Sequence, residues 1–248
     1  MPPGIQTVRI MTWNIHGGVG PDRRRDLERV ADVVQRHEPD IVALQEVDSR
    51  PRRGRAEPAF ETLAEALGLH SAAARLVTAP DGDYGHLVIS RWPLHDTRLH
   101  DLSVGRYEPR AAIETVVATP WGDLPFFAVH LGLRVHERRS QSARLLAAAR
   151  SARAAVMVGD FNEWDWTSSV YRSLRDIFPE RTHVRTFPAR RPMLRLDRIY
   201  SRPAGLILRH WSDPAARAAS DHLPIIADLA MPSGRPVGTA RKTVSEQG

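Results

Sequence analysis

The chain contains no cysteine, which excludes disulfides, thiolate metal sites and a cysteine nucleophile and leaves any metal to oxygen and nitrogen donors. Lysine is nearly absent too, Lys242 being the single one. The formal charge of +6 is therefore carried by arginine, whose planar fork suits bidentate phosphate contacts. An anionic partner fits this balance, and so does a compositional bias without a binding role. No apolar run approaches the roughly 20 residues of a membrane-spanning helix. Met1-Pro2-Pro3-Gly4 has neither the basic start nor the apolar stretch of a signal peptide, so the expectation is a cytoplasmic protein with no transmembrane segment. With 42% hydrophobic and 26% charged residues in 248, fibrous and disordered classes are excluded and one large domain is expected.

Short runs rich in Val, Ile and Leu alternate with helical patterns, the signature of a mixed α/β protein. Strands are expected over 8–13, 41–44, 87–90, 112–118, 126–130, 155–158, 195–200, 206–211 and 223–229. The stretch 22–37 places Leu27, Val30, Ala31 and Val34 on one stripe and stops before Pro39, which predicts a helix. Phe60, Leu63, Ala64 and Leu67 repeat the stripe, with Gly68 where a helix end favours positive φ. Residues 140–150 are Ala- and Leu-rich and helical. Pro120-Trp121-Gly122 is a turn short enough for an antiparallel hairpin, so the sheets are expected to be mixed. From Met231 onward periodicity stops, which predicts one domain over 1–230 and a disordered tail over 231–248.

Polar, metal-competent residues recur at one kind of place, the end of an apolar strand or the loop after it. Asn14 ends the first strand, Glu46 follows the second, His130 ends the strand after the hairpin, and Asp160 and Asn162 follow the strand at 155–158. Asp197 lies in Leu196-Asp197-Arg198, and Asp221-His222 precedes Leu223. Strand ends on one side of an α/β sheet form a common rim, so these side chains can converge. Each alone is as readily a turn former or a solvated strand end. The set is the signal.

The strings Thr12-Trp13-Asn14-Ile15-His16-Gly17, Leu44-Gln45-Glu46-Val47, Val129-His130-Leu131-Gly132, Gly159-Asp160-Phe161-Asn162, Leu196-Asp197-Arg198-Ile199-Tyr200 and Ser220-Asp221-His222-Leu223-Pro224 resemble the ordered motif series of the endonuclease/exonuclease/phosphatase superfamily. That family includes pancreatic-type deoxyribonucleases, abasic-site endonucleases, neutral sphingomyelinases and inositol polyphosphate phosphatases. The resemblance implies a four-layered α/β sandwich, two mixed β-sheets packed face to face with helices outside, and a divalent metal at one rim. Mg²⁺ is the expected ion and Mn²⁺ the alternative. Glu46 would be the direct ligand with Asn14 beside it and Asp221 a secondary metal or water ligand. Asp160 would deprotonate the attacking water, Asn162 would donate to the phosphorane, His130 and His222 would flank the phosphate, and Asp197 would hold the imidazole of His222. Hard oxygen donors suit Mg²⁺, which would polarise a phosphoryl oxygen.

Departures from the pattern concern the substrate. His86 stands where many relatives carry an Asn that contacts substrate, and Arg110 sits where several place an arginine near the phosphate. The basic loop of Arg50, Arg52, Arg53 and Arg55 is a polyanion grip or a solvated charge run. Trp164 and Trp166 line a cleft or pack a loop; His16 and His136 carry no expected role. Arg191-Pro192-Met193-Leu194-Arg195 lacks the asparagine-rich loop and tryptophan of abasic-site endonucleases. The expected function is Mg²⁺-dependent phosphodiester hydrolysis on a phospholipid, a small diester or nucleic acid, with a DNA or RNA nuclease as the runner-up. An inactive binding scaffold is the reading from another class; it should have lost one of Glu46, Asp160, Asn162 or His222, and all four are present.

Overall fold

The central strands of the protein alternate between two apolar environments, and that alternation is what delivers polar side chains to one rim. The computed structural model describes residues 5–51 and 58–231. Its strands are β1 (Thr7–Asn14), β2 (Ile41–Asp48), β3 (His70–Ala79), β4 (Gly82–Ser90), β5 (Leu94–Asp101), β6 (Ala111–Thr119), β7 (Gly122–His130), β8 (Ala155–Asp160), β9 (Glu180–Arg181), β10 (Asp197–Arg202), β11 (Ile207–Trp211) and β12 (Ile225–Ala230). Helices α1 (Leu27–His37), α2 (Ala59–Leu67), α3 (Val135–Ala149) and α4 (Ser169–Ile177) lie between them. One six-stranded sheet runs β11-β12-β1-β2-β4-β3 and the other β5-β6-β7-β8-β10-β9. Both are mixed: β1 with β2 and β7 with β8 are parallel, and the neighbours that flank these pairs are antiparallel.

Three apolar clusters separate four layers. Val8, Ile10, Ile41, Ala43 and Val88 meet Phe126, Ala128, Val156, Val158 and Ile199 between the sheets. On the far side of the first sheet, Met11, Trp13 and Leu44 pack on Val30, Val34, Phe60 and Leu63 of α1 and α2. On the far side of the second, Phe127, Val129 and Met157 pack on Leu145, Val170 and Leu174 of α3 and α4. Each fully buried side chain of this kind contributes about 1.5–3 kcal/mol, so the fold is held by the layers and the rim need not contribute. The architecture is the four-layered sandwich.

Several local expectations shift. α1 begins at Leu27, because Asp26 and not Asp22 caps it, its carboxylate accepting from the Arg29 N–H at 3.0 Å. Gly68 is extended, with φ −174°, so α2 ends without a left-handed residue. β3, β5, β9 and α4 are elements beyond those expected from the sequence. Met231, placed at the start of the expected tail, is 6% exposed in the inter-sheet core and donates its N–H to Gln6. The rest of that tail and Arg52, Arg53 and Arg55 lie outside the described residues. Among the described residues no helix is long and apolar enough to cross a membrane.

Candidate active site

The period of two along the inter-sheet faces continues past the apolar residues into polar ones. Val8 and Ile10 lead to Asn14 on β1, Phe126 and Ala128 to His130 on β7, Val156 and Val158 to Asp160 on β8, and Ile199 back to Asp197 on β10. Strand register lines up the second sheet's contribution, since Asp160 is paired with His130 on one side and with Asp197 on the other. Glu46 arrives differently. The β2–β4 register shifts between Leu44 and Val47, and Glu46 takes φ 55°, so a bulge turns its carboxylate toward the rim. Gly159 keeps β8 close to β7: its φ is +143°, and a Cβ there would stand 1.9 Å from the Val129 carbonyl oxygen.

The side chains meet across the gap between the sheets. The amide nitrogen of Asn14 donates to Glu46 Oε1 at 2.9 Å and to Asp160 Oδ2 at 3.1 Å, while its oxygen accepts from the His16 N–H at 3.0 Å. Asn14 thus presents its amide N–H to the two carboxylates and its oxygen to the backbone beside Glu46. His130 Nε2 is 3.6 Å from Asp160 Oδ2 and 3.9 Å from Glu46 Oε1. His222 Nδ1 is 2.8 Å from Asp197 Oδ2, which also accepts from Thr186 Oγ1, and its Nε2 is 3.9 Å from Asp160 Oδ2. Asn162, at φ 49°, donates its N–H to Asp160 Oδ1 and one amide N–H to the Leu131 carbonyl. Asp221 is half-exposed, 3.8 Å from His16 Nδ1, and His16 in turn is 3.6 Å from Glu46 Oε2.

Burial and neighbouring charge set the protonation states. Burial first, then the charge of Asp197, hold Asp160 above the ordinary carboxylate range. Burial opposes charge on His222, but Asp197, Asp160 and Asp221 outweigh it and raise the imidazole to about 10, so it is an imidazolium at neutral pH. His130 is pushed the other way, well below the ordinary histidine range, by burial and by Arg110. Burial would raise Glu46, yet His16, His130 and Asn14 hold it below the usual carboxylate range.

Glu46, Asp160, His130 and His222 border a cleft of about 480 Å³, with Arg110 and Trp164 on its wall. The larger groove, about 720 Å³ between α3 and α4, holds none of the candidate site residues. Residues 11–222 match the model of the Endonuclease/Exonuclease/phosphatase family. The chain belongs to that family. The uncharacterized protein YbhP of Escherichia coli strain K12 is 33% identical over 257 aligned residues, covering 92% of this chain and 99% of that protein. An endonuclease/exonuclease/phosphatase structure from Beutenbergia cavernae DSM 12333 superposes with a TM-score of 0.76 at 24% identity, over 94% of this chain and 73% of that one. The mannosyl-6-phosphatase of Bacteroides thetaiotaomicron VPI-5482 shares the fold at TM-score 0.66 and 18% identity, over 90% of this chain and 99% of that one. Members of the family are metal-dependent phosphoester hydrolases, and this chain is such an enzyme.

The residues present suit the cation that the family uses. Among the described residues no guanidinium lies within 4.0 Å of Glu46, Asp160 or Asp197, although arginine is abundant, and Asp197 Oδ1 is buried with no hydrogen-bond donor. Such concentrated negative charge calls for a counter-cation. One ligand atom each from Asp160, Asp197 and His222 lie within 4.8 Å of one another, but Asp197 and His222 are already bonded to each other. Glu46 is the more accessible oxygen donor, its side chain 24% exposed against 1% for Asp160 and 0% for Asp197.

Two expectations about substrate contact fare differently. Arg110 is 5% exposed, lines the cleft, and is paired with Glu108. His86 is 1% exposed behind His130, ring centroids 5.6 Å apart, and does not border the cleft; burial and Arg110 lower it to about 3, so it supports His130 as a neutral ring. His136 packs against Tyr107 with the rings tilted and their centroids 5.3 Å apart. Sequence reasoning passed over Tyr84, Thr186, Phe187 and the role of His16. His16 lies inside a quoted motif string and Tyr84 two residues before His86, whereas nothing local marks Thr186.

Proposed function

We propose that this enzyme hydrolyses a phosphodiester with Mg²⁺ held by Glu46, Asp221 being the next carboxylate within reach through their shared neighbour His16. Bound there, the ion supplies Lewis-acid polarisation of a phosphoryl oxygen. The observation that carries the reading is the buried Asp160, its Oδ2 facing Asn14, His130 and His222 with no guanidinium to neutralise it. A carboxylate held above its usual range is the stronger base. Asp160 takes the proton of the water that attacks phosphorus in line, while Asn14 and the Asn162 N–H fix the carboxylate's orientation. His222, charged and anchored by Asp197, stabilises negative charge growing on the phosphoryl oxygens, and His130 and the second amide N–H of Asn162 supply neutral donors.

A diester is favoured over a monoester by the charge of the cleft wall. Among the described residues of the cleft, Arg50 and Arg110 are both already paired, with Asp48 and Glu108, which leaves His222 as its remaining cationic side chain, a better match for a diester's single charge than for the two of a monoester. The test is turnover of bis(p-nitrophenyl) phosphate and p-nitrophenyl phosphate with Mg²⁺, Mn²⁺ or EDTA, and of the Glu46→Gln variant. Expected are faster diester cleavage, loss of turnover in EDTA, and at least about a tenfold weaker dependence on Mg²⁺ in the variant. Turnover that survives EDTA, or a monoester preference, contradicts the proposal.

A further inference from the structure

Beside the catalytic cleft lies a second cavity of about 500 Å³, and Trp164 and Leu194 border both. Its floor is cationic. Arg181, Arg195 and Arg198 line it, and among the described residues none of the three has a carboxylate within 4.0 Å, whereas Arg9, Arg50, Arg75 and Arg138 elsewhere are paired. Arg198 is 3% exposed and its Nε has no hydrogen-bond partner, while Nη2 is fixed on the Glu163 carbonyl at 2.9 Å. Arg181 donates to the Tyr171 hydroxyl at 2.7 Å, and Arg181 and Arg198 lie 5.0 and 5.3 Å from that ring's centroid. Burial and these three guanidiniums together hold His183 below the ordinary histidine range. Arg195 is exposed and donates its Nε to the His183 carbonyl at 2.9 Å, while the unneutralised charge of the buried Arg198 and half-buried Arg181 is costly unless an anion completes it.

The cavity's outer wall is of another kind. Trp164 is 63% exposed and Trp166 75%, and Met193 beside them 60%. Adjacent large indoles left in water are unusual on a monomer's surface and suit stacking on a planar or apolar group.

We infer that this second cavity binds a second phosphate of the substrate, held by Arg181, Arg195 and Arg198 while the group joining it to the scissile diester lies on Trp164 and Trp166. The inference rests on the phosphodiester reading of the cleft and adds what lies beside the reacting phosphorus. The shared chemistry is a bisphosphate, and a nucleotide chain and a lipid headgroup are its two sources.

The experiment compares the p-nitrophenyl ester of thymidine 5′-phosphate with the same compound carrying a 3′-phosphate, with Mg²⁺ present. In the parent enzyme the added phosphate should lower KM about tenfold with kcat little changed. In Arg195→Gln and Arg181→Gln that gain should vanish, with cleavage of bis(p-nitrophenyl) phosphate unaltered. Equal KM for the two compounds, or variants that lose kcat equally on all three, overturns the inference. Calorimetry of thymidine 3′,5′-bisphosphate binding separates this from the cleft's chemistry: binding kept in Asp160→Asn and lost in Arg195→Gln supports the cavity even where no substrate is turned over, and binding that ignores Arg195 overturns it. Trp166→Ala assigns the source. Weaker competition by thymidine bisphosphate with unchanged competition by glycerol bisphosphate marks a nucleotide chain, equal competition by both in parent and variant marks a headgroup, and no competition by either overturns the inference.

Discussion

Two aspartates in this protein are buried to nearly the same degree and treated in opposite ways. The Asp228 side chain on β12 is 4% exposed and is held by Arg9 Nε at 2.8 Å and Arg209 Nε at 2.5 Å. Burial would raise its carboxyl, but the two guanidiniums hold it below the usual range. The Asp160 side chain on β8 is 1% exposed, has an amide and two imidazoles near it in place of guanidiniums, and is held above that range. A chain this rich in arginine has the means to neutralise a buried carboxylate and uses it at Asp228. Leaving Asp160 without a guanidinium, with only the His222 imidazolium 3.9 Å away, sacrifices stability, which marks the rim as the place where the sequence serves chemistry.

The largest effect expected from breaking this contrast is at His222. His222→Ala removes the charge aimed at the phosphoryl oxygens and should lower kcat by about 10² to 10⁴-fold with KM little altered, read by steady-state kinetics. Asp197→Asn acts through the orientation and charge of His222 and through the charge felt by Asp160, and should lower kcat by about 10 to 100-fold. A loss as large as that of His222→Ala would give Asp197 a part in the chemistry of its own.

On the other side of the comparison, Asp228→Asn should leave kcat unchanged and lower stability by about 1–3 kcal/mol, since the charge-assisted bonds from Arg9 and Arg209 are lost. The pH dependence has a fixed sign. A carboxyl lowered in the folded state contributes fully above its unfolded value, about 4, and that contribution is lost as pH falls through the folded value. Urea unfolding from pH 6 downward should therefore show a shallower acid loss in Asp228→Asn than in the parent. Parallel acid limbs would mean that the two guanidiniums contribute nothing to folding.

The residues that converge were legible because strand ends are legible: an apolar run closing on Asn14, His130 or Asp160 gives both the position and, through period two, the face. The pairing of Asp197 with His222 was legible only through the motif series, for 25 residues separate them. The edge strands β3 and β5 were not. Just one of ten residues in β3 is buried and none of eight in β5, so neither carries the apolar run by which a strand is found. α4 did carry a signal, Ser168 capping Tyr171 with Val170 and Leu174 on one face, in a helix of nine residues that is short for periodicity to stand out. Burial of His86 and the direction of the Asn14 amide depend on packing between sheets, which no local pattern contains.

Asp160→Asn and Asp228→Asn, assayed side by side for kcat on bis(p-nitrophenyl) phosphate with Mg²⁺ and for melting temperature, test most directly whether Asp160 is the base. The expected result is a crossed pattern: Asp160→Asn loses about 10² to 10⁴-fold in kcat without melting lower, and Asp228→Asn melts lower with kcat intact. An Asp160→Asn enzyme that keeps near-parent kcat would contradict the assignment of Asp160 as the base.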